Sequence, residues 1–186
     1  YISEYSVAKL AGGIAVLFEE DTDGKRIADE ICEKGFDSIF FTSSGGSLAM
    51  MQPFDYMVSV MSDIPVQSQV SADFLTVGNR RIGKGTLAFM ASKSGDTKET
   101  VAAAKAAKDA GCTIVSTLGV DGSPLGELSD YGVIYKQGRP MELVLYLLIG
   151  KILKNRGFFD DYDRFADELV NLPAALVSVG KNADEM

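Results

Sequence analysis

Apolar and polar positions along the chain alternate between two periods. In GKRIADEICEKG, Ile27, Ala28 and Ile31 recur at helical spacing and Gly35 supplies a stop, so a helix is expected ahead of the strand DSIFFTS. After the turn SSGGS, the segment LAMMQPFDYMVSVMSD reads as a second helix ending before Pro65, and PVQSQVSA as a short alternating strand; residues 74–84 read as a polar connection. TLAFMAS, bounded by glycine and hydroxyls, has the continuous apolar character of a buried strand, and a helix over 97–110 follows it, stopped by Gly111. CTIVSTLG is then a further buried strand, SPLGELSD a short helix and YGVIYKQ another strand. Residues 141–155 form a strongly apolar helix suited to the core or to a subunit contact. Residues 162–178 form an amphipathic helix that Pro173 bends or divides.

Strands alternating with helices over most of the length indicate βαβ units. The expected fold is α/β: a three-layer α/β/α sandwich around a mainly parallel, doubly wound, flavodoxin-like sheet. In such sheets ligands sit beyond the carboxyl ends of the strands, near a switch in strand order, and both SSGGS and SKSGDT fall at strand ends. At 186 residues the chain is long enough for one domain of this kind and too short for two ordinary ones. We expect a single domain with its core over 21–156 and linking helices over 157–186, the terminal KNADEM fraying. The sequence starts at Tyr1 without a methionine and has no signal-peptide pattern, as expected of a piece of a longer protein.

Composition narrows the partners. A net charge of −8 argues against nucleic acid and against anionic membranes, which both need a basic face, and the longest apolar run, 143–149, is far too short to cross a bilayer. The absence of histidine removes the commonest acid/base group and the commonest metal ligand, leaving carboxylates, lysines and hydroxyls for any catalysis. Cys32 and Cys112 have no CxxC or His partner and read as buried apolar residues in a reducing, cytoplasmic setting. GNRRIGKGT approaches a Walker A loop, but Gly85 stands where Ser or Thr would bind magnesium and the segment precedes a strand, so it reads as a basic surface connection. No GxGxxG follows a strand, and FFDDYDRF lacks the spacing of a calcium loop; no cofactor and no metal are expected.

The stretch SKSGDTKET, 92–100, sets four hydroxyls around Gly95 at a strand-to-helix junction. A helix N-terminus offers unpaired N–H groups and partial positive charge, hydroxyls add neutral donors, and a glycine lets the backbone turn with its amides inward. Such a turn can hold a phosphate in an acidic protein. It can equally be a plain helix cap, with Ser94, Asp96 or Thr97 at the N-cap and Thr97 and Thr100 facing solvent.

SKSGDTKET resembles the SxSGxTxET signature of sugar isomerase (SIS) domains, and SGGS, 44–47, resembles their first phosphate turn, with Ser44 where that turn usually has cysteine. TLGVDGSPLGELSDYGVIY is similar to the family's Ser-Pro-Leu helix and the strand after it. Within the family the chain looks closest to the amino-terminal half of fructoselysine-6-phosphate deglycase-like proteins and to the isomerase domains of glucosamine-6-phosphate synthase. The resemblance implies an SIS-type fold, possession of a phosphosugar site built from Gly45, Gly46, Ser47, Ser92, Lys93, Ser94, Gly95 and Thr97, and a homo-oligomer, dimer or larger. The ligand it implies is a sugar phosphate or a fructosamine phosphate.

The chemistry implied is aldose–ketose isomerisation or fructosamine cleavage, which needs a base beside the carbonyl carbon. Family members commonly use a glutamate on a helix after the last strand, and Glu142 in GRPMELVLY holds that place; a glutamate in a first helical turn is also favoured by the helix dipole alone. Many members add a histidine from a second domain or subunit, which here would have to come from elsewhere. Two other readings stay open: a non-catalytic sugar-phosphate sensor, and a single-domain hexulose-phosphate-type isomerase.

Overall fold

The structure is a computed structural model that describes residues 22–135, 141–169 and 171–183. Its elements in chain order are α1 (Thr22–Lys34), β1 (Ser38–Ser43), α2 (Gly45–Met61), β2 (Val66–Val70), α3 (Ser71–Val77), β3 (Thr86–Ser92), α4 (Lys98–Asp109), β4 (Thr113–Leu118), α5 (Pro124–Leu128), β5 (Tyr131–Ile134), α6 (Met141–Asn155), α7 (Tyr162–Leu169) and α8 (Leu172–Ala183). The five strands form one parallel sheet in the order β2-β1-β3-β4-β5. This is the doubly wound α/β sandwich that the alternation predicts, and the direction in which successive strands are added to the sheet reverses between β1 and β3.

Period-two alternation divides the core between the two faces. Ile39, Phe41, Leu87, Phe89, Val115 and Val133 point to one side, where they pack with Ile27 and Ile31 of α1, Met51 and Phe54 of α2, and the apolar residues of α6. Phe40, Ala88, Met90, Ile114 and Leu118 point to the other, against Phe74 of α3, Ala103, Ala104 and Ala107 of α4, and Leu125 of α5. Small alanines let α4 lie close to the strands. The apolar face of α6 is therefore spent on the core, with Leu145, Leu148, Ile149, Ile152 and Leu153 fully buried.

Three sequence expectations change in detail. Residues 71–77, read in part as strand end and in part as connection, form the short helix α3, its first turn following β2 without a linker. The amphipathic helix over 162–178 is two helices, α7 and α8, and Pro173 sits in the first turn of the second, where its missing N–H costs nothing. Cys32 is half-buried, while Cys112 is buried as expected; both are free thiols. Lys136 and Gln137, expected to continue the last strand, lie outside the described residues, as do the first and last residues of the chain.

The basic segment GNRRIGKGT joins α3 to β3 at the amino end of the sheet, where Asp37 N–H donates to Gly85 O at 2.7 Å. That is the end opposite the hydroxyl turns, as befits a connection.

Candidate functional site

β1 and β3 are neighbours in register, from Ser38 opposite Thr86 to Phe41 opposite Phe89. Their carboxyl ends therefore emerge side by side, tied by a hydrogen bond from Ser43 Oγ to Ala91 O. The first leads into the turn Ser44-Gly45-Gly46-Ser47 at the start of α2, the second into 92–97 at the start of α4. Thr100 Oγ1, from the first turn of α4, donates to Ser44 Oγ at 3.4 Å and bridges the two turns. Both hydroxyl turns thus lie together at the switch in strand order, the position at which an open α/β sheet offers a crevice.

Neither helix caps itself there. Ser44 occupies the N-cap position of α2 and Thr97 that of α4, yet neither side chain accepts a hydrogen bond from its own helix. By contrast, Ser123 at the N-cap of α5 accepts from Gly126 N–H. The plain-cap reading of SKSGDT is consequently not what the side chains do: Thr97 Oγ1 pairs with Ser92 Oγ at 3.2 Å, and Asp96 and Ser94 are exposed. Two helix N-termini, each with its first amides free of side-chain acceptors, converge on one place.

The turn 92–97 is held in shape from within and from below. Ser92, 2% exposed, accepts the Gly95 N–H at 2.9 Å. Gly95 adopts φ +71°, which an L side chain reaches only with strain, and its carbonyl accepts from Leu125 N–H at 2.9 Å. With the Gly95 N–H engaged by Ser92, the donors of this turn that have no acceptor among the described hydrogen bonds include the Ser94 hydroxyl and the amides of Ser94 and Asp96. Across from it, Gly45 (φ +54°) and Gly46 open onto empty space where a side chain would otherwise stand, and Ser47 is half-exposed. Lys93 is exposed beside the turn.

Glu142 comes from a different element, the helix α6. It lies half-buried in the first turn of α6, one turn before Tyr146, whose ring packs on Phe54 of α2 with centroids 4.7 Å apart. No hydrogen bond joins it to either turn among the described residues. Its neighbour is Tyr135, just beyond β5, whose phenol is pushed above its ordinary pKa first by burial and then by the Glu142 carboxylate.

Sequence reasoning missed two residues of this region. Thr100, expected at the surface, is buried and forms the bridge between turns; its only sequence signal is that it stands three residues after Thr97, on the same helix face. Ser123 lies under Gly95, and nothing local to either residue announces their contact. Among the described residues no group of His, Cys, Asp and Glu is placed to hold a metal ion, and no helix is long and apolar enough to cross a membrane.

Comparison with known proteins bears on the family and the fold. The family model for the SIS domain matches residues 34–149. The glutamine–fructose-6-phosphate aminotransferase (isomerizing) of Thermotoga maritima is 31% identical over 158 residues, 78% of this chain and 26% of that protein. The fructosamine deglycase FrlB of Bacillus subtilis is 31% identical over 122 residues, 65% of this chain and 34% of that protein. The chain thus spans about a third or less of the length of these relatives. The NanR protein of Vibrio vulnificus, solved in complex with ManNAc-6P, matches with a TM-score of 0.68 at 19% identity, over 90% of this chain and 68% of that one; the likeness is one of fold.

Proposed function

The chain belongs to the SIS-domain family, and from that premise we propose that its two hydroxyl turns bind the phosphate of a phosphosugar, as the binding domain of a sugar-phosphate isomerase or a fructosamine-6-phosphate deglycase. The observation that carries this is the meeting of two helix N-termini without side-chain caps at the strand-order switch, bridged by Thr100 and Ser44. Ser47, Ser94 and Thr97 supply hydroxyls, Gly45 and Gly46 supply a turn that leaves room, Gly95 supplies the left-handed bend of the second turn, Ser92 shapes the loop, and Lys93 screens charge at its rim. The sugar itself extends along the carboxyl end of the sheet, where Glu142 is the carboxylate available as a base.

In this reading the chain is the amino-terminal half of a longer protein with two such domains, α7 and α8 being the helices that lead towards the second. The short span that it covers in its relatives supports this. A second domain or subunit then supplies the acid/base group that a chain without histidine lacks. Self-association belongs to the same proposal: α2 presents Tyr56 (69% exposed) and Val60 (59%) on a 17-residue helix with one charged residue, Asp55. A reducing, cytoplasmic location accords with the two free thiols.

Titration calorimetry of the chain with fructose 6-phosphate, fructose and inorganic phosphate tests the reading. The phosphorylated sugar should bind, inorganic phosphate more weakly, and the unphosphorylated sugar not measurably. Equal heats from fructose and its phosphate would refute a phosphate seat. In the full-length protein, binding without isomerase or deglycase turnover would point to the sensor role instead.

A further inference from the structure

We propose that Ser123, in the loop between β4 and α5, is a positioning residue for the phosphate turn: it braces Gly95 from below and so fixes the conformation that leaves the turn's donors free for a ligand. The inference rests on the phosphosugar reading above for its functional consequence, though not for its geometry.

Residues 119–125 run beside 92–97, continuing from the β3–β4 pairing of Ser92 with Leu118, and touch the turn at several points. A Cβ on Gly95 would come closer than 3.0 Å to both Cβ and Oγ of Ser123, so the two residues meet at a distance that only glycine at position 95 permits. Leu125 N–H, two residues further on, donates to the Gly95 carbonyl at 2.9 Å. Upstream, Gly119 lies against the Lys93 carbonyl just as closely, a Cβ there also falling within 3.0 Å of the Lys93 oxygen, and Gly119 N–H points to Ser92 O at 3.4 Å. Ser123 is itself buried, 4% exposed, and its Oγ caps α5 by accepting from Gly126 N–H.

The Gly95 peptide is thus clamped on both sides: its N–H by Ser92 Oγ within the turn, its carbonyl and Cα by α5 and Ser123 below. A turn so clamped has no freedom to swing its Ser94 and Asp96 amides inward to find acceptors of their own. Preorganisation of this kind raises affinity by removing the ordering cost that a loose loop would incur on binding.

Gly95→Ala, Ser123→Gly and Ser123→Ala, singly and as the two doubles, test the brace on the full chain, with fructose 6-phosphate affinity and amide hydrogen exchange over 92–97 as readouts and thermal unfolding as a control for folding. Gly95→Ala should weaken binding by at least about tenfold and speed exchange in the turn, because the new methyl collides with Ser123. Ser123→Gly clears both atoms and should restore the part of the loss that comes from the collision in the Gly95→Ala background, the strain of an L residue at φ +71° remaining; Ser123→Ala keeps its Cβ and should restore less. A general packing defect would not distinguish glycine from alanine at position 123.

If Gly95→Ala leaves exchange unchanged, or if neither Ser123 substitution alters its effect, the brace is wrong. Should the wild-type chain fail to bind any phosphate compound while exchange still shows selective rescue by Ser123→Gly, the brace stands and the phosphosugar reading falls.

Discussion

Ser92 and Ser94 stand two residues apart in one turn, and the structure assigns them opposite burdens. Ser92 is buried and accepts the Gly95 N–H at 2.9 Å, while its hydroxyl pairs with Thr97 at 3.2 Å. Replacing it with alanine leaves a buried N–H without an acceptor, which costs about 1–3 kcal/mol of stability. For a domain of this size each kcal/mol moves Tm by about 2–4 °C, so Ser92→Ala should unfold roughly 2–12 °C lower in a calorimetric scan. Ser94 is exposed and makes no side-chain hydrogen bond among the described ones. Ser94→Ala should therefore leave stability within about 0.5 kcal/mol. Its hydroxyl, given to an anionic phosphate, is worth about 1.5–3 kcal/mol, a loss of roughly 10- to 150-fold in Kd. Calorimetric titration with fructose 6-phosphate reads that loss. An unshifted Tm in Ser92→Ala, or an unchanged Kd in Ser94→Ala, would refute this division of labour.

Two further predictions follow from titratable groups. Burial and the Glu142 carboxylate together hold the Tyr135 phenol above its ordinary pKa, so folding favours the neutral ring; that contribution is intact below the unfolded pKa of about 10 and is lost as pH rises through the raised folded value. Glu142→Gln should lower the Tyr135 midpoint in a ¹³C-tyrosine NMR titration without returning it to normal, since burial is the larger cause; no movement would separate the two residues. Burial also pushes both cysteine thiols above their ordinary values, so at neutral pH both should react slowly with iodoacetamide, half-buried Cys32 gaining reactivity first as pH rises and buried Cys112 only on unfolding. Equal labelling rates in the native protein would contradict that order.

The strands and most helices were legible because each carries its period without interruption: TLAFMAS is buried along its whole length, and residues such as Ile39 and Phe40 on β1 face opposite layers. Where reading failed, the local pattern was too short or misleading. SADFLTV gives α3 barely two turns and follows β2 with no turn residue between them, so alternation appears to run on into Ser71. Pro173 marked a break in the right neighbourhood, but a proline fits a first helical turn, so α8 begins before it.

The two turns themselves could be read from composition, but their meeting could not. Period and propensity place a turn at a strand end; only the strand order puts β1 beside β3, and strand order is decided by which faces pack, not by any residue in either turn. Ser44 reaching Thr100 across 56 residues, and Ser123 lying under Gly95, are consequences of that choice.

Why the chain builds its candidate anion seat from amides and hydroxyls follows from its charge. With a net charge of −8, a cationic pocket would need several lysines or arginines held close together, each repelling the next until a ligand arrived. Helix N-termini avoid this because their partial charges are fixed by the backbone and cancelled within the helix. The requirement shifts from charge to shape: the amides must be prevented from satisfying themselves, which is what uncapped Ser44 and Thr97 and a braced Gly95 achieve. On this argument affinity is lost by loosening the turn at least as readily as by deleting a donor, and the exposed Lys93, whose charge is screened by solvent, should matter less than the buried Ser123 that never meets the ligand.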